Sequence, residues 1–165
     1  MQKLLLVLNI LVISITGFAQ TDTTAPYYQN RLVPQFSLLS VDSIAFTQSV
    51  IETGKRTVFM LFDPECDHCQ QQLEVLLSIP QFSESAQLIM VSAENPEKNK
   101  LFYLKNQLQN LPFVYVGTDI NHSLAKFFRP ATLPALIFYN KKNTFYLFHQ
   151  GNADKKAVLA ALKKE

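Results

Sequence analysis

Two kinds of hydrophobic spacing alternate along this chain. Residues 57–62 form a run that is apolar after Thr57 and has no period of two. That pattern suits a strand buried on both faces. Residues 87–91 and 113–116 repeat it. Between the first two runs, Cys69, Leu73, Leu76 and Leu77 fall on one face of a helix that opens around Cys66, and Pro80 lies just past its end. Asn95-Pro96-Glu97 reads as a helix start: a capping residue, a proline at the first helical position, then an acid in the first turn. Leu101, Leu104 and Leu108 form the apolar stripe that should face inward. Asp119 or Asn121 is placed to cap a short helix carrying Leu124, Phe127 and Phe128, which Pro130 ends.

Residues 135–139 and 144–148 flank Asn140-Lys141-Lys142-Asn143, a spacing that predicts an antiparallel hairpin. Gly151 follows. A last helix is predicted over 154–164, with Ala157, Val158, Ala161 and Leu162 inward and Lys163 and Lys164 at its negative end. Upstream, order begins near Val33, and the stretch to Thr53 reads as edge strands and turns before a Gly54-Lys55-Arg56 turn. Alternating strand–helix units imply parallel pairing, and the closing hairpin adds an antiparallel edge. The expected fold class is α/β: a mixed central sheet with helices on both faces and a C-terminal antiparallel hairpin.

The N-terminus carries a different signal. Lys3 precedes an apolar run over residues 4–15, interrupted only by Asn9 and Ser14. The run falls short of the roughly 20 residues a spanning helix needs. Gly17-Phe18-Ala19 follows as a small-x-small site, so cleavage before Gln20 is the expected processing. No cysteine follows the apolar run, which excludes a bacterial lipoprotein anchor. Residues 1–19 are thus read as a signal peptide, 20–30 as a polar, flexible lead-in and 31–165 as one folded domain. The expected location is the periplasm. Membrane contact would come only from an uncleaved signal segment, and a monomer is the default state.

Composition narrows the function. A formal net charge of +2 with no basic stripe gives no purchase for nucleic acid. Four glycines argue against a glycine-rich phosphate cradle. Two cysteines cannot build a disulfide framework, nor by themselves a four-ligand zinc site.

Those two cysteines carry the chemistry. Cys66-Asp67-His68-Cys69 sits where a strand meets a helix. At that position the two sulfurs can meet in a reducible disulfide. The unpaired N–H groups of the helix start favour negative charge on the first sulfur, and the thiolate is the reacting species. Cys66 would attack a substrate disulfide, and Cys69, one turn further in, would resolve the mixed disulfide. His68, if protonated, would support the Cys66 thiolate, whereas Glu65 and Asp67 would oppose it. A purely structural role fits poorly, because so short a loop contributes little closure entropy. A metal site would need ligands beyond the sulfurs, and only His68, His122 and His149 are available as histidines.

With these motifs, the chain resembles the thioredoxin-like superfamily. The nearest likeness is to its exported bacterial thiol–disulfide oxidoreductases, the redoxin and alkyl hydroperoxide reductase/thiol-specific antioxidant-like subgroup. The resemblance runs from Val33 to the C-terminus. It rests on the Cys66–Cys69 site, the Phe127-to-Ala135 segment and the Gly151 turn. It implies that Pro134 is the family's cis-proline beside the active-site disulfide. The Leu133 backbone would then pair with an extended substrate segment. Residues 95–116 resemble the subgroup's central insertion, and 33–41 its N-terminal hairpin. Three positions depart from the family. Glu65 stands where thioredoxin usually has Trp, and Met60 where it has a buried acid that relays protons. Asp63 stands where the peroxidase branch has Thr.

The resemblance implies a thiol–disulfide oxidoreductase acting on cysteines of exported proteins and recycled by an upstream redox partner, with no cofactor. Two alternatives use the same residues: a metal-binding or metal-delivery module, and a redoxin-like protein that binds a partner without turnover.

Overall fold

The computed structural model describes residues 23–164, so the signal segment expected over 1–19 lies outside the described residues. Seven strands form one mixed sheet in the order β2-β1-β5-β4-β3-β6-β7. They are β1 (Ser37–Ser40), β2 (Ala45–Thr47), β3 (Arg56–Leu61), β4 (Ala86–Ser92), β5 (Val114–Thr118), β6 (Ala135–Tyr139) and β7 (Phe145–Gln150). The buried runs pair in parallel, β3 with β4 and β4 with β5. The C-terminal hairpin adds β6 antiparallel to β3, and β7 antiparallel to β6. At the other edge β1 runs antiparallel to β5 and to β2.

The helices are α1 (Pro26–Gln29), α2 (Asp67–Leu77), α3 (Pro80–Ser85), α4 (Pro96–Lys105), α5 (Ser123–Phe128) and α6 (Lys155–Lys163). They cover both faces of the sheet because the central strands are apolar on both. Val58, Met60 and Phe62 point to one layer with Leu73, Phe82, Phe102 and Val158. Phe59 and Leu61 point to the other, with Tyr27, Leu124 and Phe128. Successive side chains of a strand alternate in this way.

Four local expectations differ from the structure. Within the lead-in expected over 20–30, Ala25 and Tyr27 are buried. Tyr27 is buried, and its ring meets Phe145 edge-on at 5.0 Å and Phe148 at 5.3 Å. Polarity hid this, because one aromatic ring anchors an otherwise polar stretch. Pro80 does not only follow α2: it opens α3, which buries Phe82. In α6, Ala157 is exposed, while Val158, Ala161 and Leu162 are buried as expected.

The largest departure is α4. Two of the three leucines of its expected inward stripe face water, Leu101 at 69% exposed and Leu104 at 50%, while Leu108, just beyond the helix, is buried as expected. The buried side chains are Asn99 and Phe102. Phe102 stacks on Phe62 with centroids 4.9 Å apart. Asn99 donates to Thr118 Oγ1 at 2.8 Å, which ties α4 to the end of β5. One large ring and one amide N–H anchored on Thr118 set the phase of this helix, and they outweigh two leucines.

This phase has a measurable consequence. Phe102→Ala should cost about 3 kcal/mol or more, as aromatic truncations in cores do. Leu101→Ala and Leu104→Ala should each stay within about 0.5 kcal/mol, as exposed substitutions do. Urea denaturation of the three variants checks both. Equal losses at all three positions would mean that the leucines are the buried face.

Candidate active site

β3 delivers the chain to the site. Past Phe62 the strand stops at Asp63-Pro64, and Asp63 organises the turn. Its Oδ1 accepts from Glu65 N at 2.8 Å, and its carbonyl accepts from Cys66 N at 3.2 Å. Cys66 is the residue that caps α2, with extended backbone at φ −89° and ψ 117°. Its carbonyl accepts from Cys69 N at 3.0 Å and from Gln70 N at 3.1 Å. The helix therefore begins at the first cysteine and turns once before the second.

The two sulfurs sit in different surroundings. Cys66 is half-buried, whereas Cys69 is fully buried. Burial pushes the Cys69 thiol up to about 12. A hydrogen bond from the Asp63 backbone works the other way, and the hydrogen bond and charge of Cys66 add to the rise. Cys69 therefore keeps its proton at neutral pH. Met60 is fully buried in the same core layer.

Of the expected tuning residues, Glu65, Asp67 and His68 are all exposed. The His68 side chain makes no hydrogen bond among the described residues. Glu65 is paired with a partner the sequence did not suggest: Lys98 Nζ lies 2.6 Å from its Oε2 and 3.6 Å from Glu94 Oε2. Glu65 holds the Lys98 ammonium above its usual range. No spacing rule links residues this far apart in the chain. Another unanticipated tie holds α2 in place: Gln72 Oε1, buried, accepts from Ala153 N at 2.6 Å.

The Leu133–Pro134 bond is cis. The antiparallel pairing of Leu61 with Ala135 sets this loop beside the end of β3, where the turn to Cys66 begins. Gly151 N donates to Pro134 O at 2.8 Å, so the loop is fastened from the β7 side as well. Leu133 is half-buried, and its N–H has no partner among the described residues.

Neither His122 nor His149 joins the site. His122 precedes α5 in a left-handed conformation at φ 52°, and its side chain makes no capping hydrogen bond. His149 Nε2 lies 3.1 Å from Asn152 O. Among the described residues, no three His, Cys, Asp or Glu side chains are grouped to hold a metal ion. No helix among them is long and apolar enough to cross a membrane.

No protein-family model matches the chain. No curated protein matches it by sequence either. Solved structures do match. A secreted disulfide oxidoreductase of Mycobacterium tuberculosis, homologous to DsbE of Escherichia coli, aligns with a TM-score of 0.63 at 16% identity, over 78% of this chain and 94% of its own. DsbF of M. tuberculosis aligns with a TM-score of 0.65 at 19% identity, over 79% and 96%. StoA of Bacillus subtilis aligns at 0.61 and 16% identity, over 81% and 99%. The chain thus has the thioredoxin-like fold expected from its sequence, across nearly the whole length of these proteins.

The asymmetry between the sulfurs can be read by alkylation. In the reduced native protein at pH 8, iodoacetamide should modify Cys66 and spare Cys69. With the Cys69 thiol near 12, only about one molecule in ten thousand carries its thiolate at that pH. The fraction rises about tenfold per pH unit up to that value. Peptide mapping by mass spectrometry checks it, and equal labelling of both cysteines in folded protein would contradict the burial.

Proposed function

We propose that the protein is a thiol–disulfide oxidoreductase acting on the cysteines of exported proteins. The observation that carries this reading is the pair itself: a half-buried Cys66 at the start of α2, with a buried Cys69 one turn behind it. In the reducing direction, Cys66 attacks one sulfur of a substrate disulfide as the thiolate. A Cys66–substrate disulfide forms, and the other substrate sulfur leaves and takes a proton. Cys69 then loses its proton and attacks the Cys66 sulfur. The second substrate thiol is released, and the Cys66–Cys69 disulfide remains. Two electrons pass from the protein to the substrate. The same steps reversed make it a disulfide donor, and an upstream redox partner restores the starting state.

The surroundings of Cys69 order these steps. Burial is the main hold on its proton, but the charge and hydrogen bond of Cys66 contribute. Both contributions end once Cys66 is bonded to substrate sulfur. The resolving thiol thus becomes easier to ionise when its turn comes. Met60 offers no carboxylate for the proton, so resolution should be the slow step and should speed up with rising pH.

The remaining residues take supporting roles. The helix start stabilises charge on Cys66. His68 adds to it when protonated, and Asp67 opposes it. Glu65 opposes it less than its charge suggests, because Lys98 sits on it. These groups stand at the surface, where water screens them, so they make small adjustments to the potential. Leu133 and Pro134 form the substrate groove, and the unpaired Leu133 N–H is the donor for an extended peptide. Export by a signal peptide over 1–19 delivers the protein to the periplasm, where cysteines form disulfides.

Three measurements test the reading. Equilibration of the purified protein with glutathione should reveal a reversible two-electron couple, absent in Cys66→Ser. Its absence in the wild type would remove the redox function. Cys69→Ser should accumulate a stable mixed disulfide at Cys66. In the wild type, decay of that adduct in stopped-flow mixing should quicken between pH 7 and 9. A pH-independent decay would show that the Cys69 proton does not limit the step.

A further inference from the structure

Basic residues from separate segments meet at the end of the sheet opposite the cysteines. Leu61 and Ala135 mark the cysteine end of the β3–β6 ladder, while Arg56 opens β3 at the other end. The six residues of β3 hold these ends roughly 17 Å apart. Arg56 Nη2 donates to Lys164 O at 3.1 Å, which brings Lys163 and Lys164, at the end of α6, to the same place. The turn between β6 and β7 adds Lys141 and Lys142. Asn140 Oδ1 accepts from Lys142 N at 2.9 Å and from Thr144 N at 3.0 Å, so this turn is held in shape. Leu32 bridges Thr144 beside it and is 57% exposed.

The charge at this end is uncompensated. Among the described residues, Arg56, Lys141, Lys142, Lys163 and Lys164 form no ion pair. Of the acids nearby, Glu52 is taken up by Lys55 at 2.8 Å, and Glu84 lies in α3, just before β4. Arg56 Nε is buried without a hydrogen-bond partner. A cavity of about 310 Å³, lined by Arg56, Asn140, Lys141 and Lys142, has room for a phosphate group. The cysteine end carries the opposite sign. Asp63, Glu65 and Asp67 lie close to Cys66 in the chain, and of the three only Glu65 has an ion-pair partner among the described residues. The net charge of +2 thus conceals a molecule that is basic at one end and acidic at the other.

The basic end fits a broad anionic surface. A redox partner joined to Cys66 engages the opposite end, so this one stays free while the thiol works. A single soluble anion would use the Arg56 cavity but would leave Lys163 and Leu32 without a role. A phospholipid surface uses all of them. Lysine and arginine near anionic headgroups each strengthen binding about fivefold, and an exposed apolar side chain enters the headgroup boundary. The acidic surroundings of Cys66 oppose the reverse orientation.

We propose that this basic end docks the protein on an anionic phospholipid surface and turns Cys66 away from the lipid. Such contact does not need an uncleaved signal segment. It goes beyond the redox reading and takes from it only the exported setting.

Vesicle sedimentation tests this role. The chain from Gln20 onward contains every described element, and its use keeps residues 1–19 out of the measurement. It is mixed at low salt with vesicles of phosphatidylcholine alone, or of equal parts phosphatidylcholine and phosphatidylglycerol. Binding to the anionic vesicles should be about a hundredfold tighter, the scale of three basic side chains at the surface, and should weaken as salt is added. Lys141→Gln with Lys142→Gln should lower it about 25-fold. Lys100→Gln with Lys105→Gln removes the same charge from α4 and should leave it unchanged. All four lysines are exposed, so both double variants keep the core intact. On the vesicle, iodoacetamide should reach Cys66 as fast as in solution. Equal binding to the two kinds of vesicle would overturn the docking, as would equal losses in the two double variants. Slowed labelling of Cys66 would overturn the orientation. Release by inorganic phosphate at the headgroup concentration would assign the Arg56 cavity to a soluble anion instead. Absence of binding to the anionic vesicles would also overturn the docking and make an acidic protein the partner to seek. None of these results bears on the glutathione couple, which tests the redox reading separately.

Discussion

The β3–β6 ladder is the constraint from which the site follows. β3 ends in the turn that starts α2 at Cys66. β6 begins with Ala135, paired to Leu61. Because the two strands run antiparallel, the start of one lies beside the end of the other. The cysteine pair and the Leu133–Pro134 loop are far apart in the chain, yet this register sets them side by side. Both strands are buried throughout at this level, so a slip of one residue would turn core side chains to the wrong layer. The hydrophobic core thereby protects the placement of the chemistry.

Burial then divides the work between two identical side chains. Both cysteines carry the same thiol, and they differ in where the first turn of α2 puts them. The first residue of a helix stands at the surface with free N–H groups near it, while the residue three further on faces the sheet. One sulfur is available to a substrate, and the other is held protonated by its apolar surroundings. The proposed attack and resolution need this difference, and a helix start at the end of an interior strand supplies it without further machinery. The pair Glu65–Lys98 and the exposed His68 lie outside this arrangement, in water, where charges are well screened.

Much of the fold was legible because its signals are local or repetitive. The buried runs of β3, β4 and β6 need both layers covered and read as strands at once. Asn95 as the cap of α4 follows from its offset to the next backbone N–H groups. The cis bond before Pro134 came from family resemblance and not from local spacing. α4 failed in phase because its sequence carries apolar residues on more than one face, and only the position of Phe62 and Thr118 decides which face turns in. Tyr27 was lost for a related reason: its burial depends on Phe145 and Phe148, which come from the far end of the chain.

By itself, the sequence determined the α/β class, the order of the elements and the place of the cysteine pair where a strand meets a helix. These depend on spacing along one segment, and spacing survives without a structure. Tertiary structure alone decided that Lys98 sits on Glu65, and that buried Gln72 ties α2 to Ala153. Each of these arises where separate segments converge, and convergence is set by the sheet register and by competition for the core. A pattern of residues along a single segment carries no record of that competition.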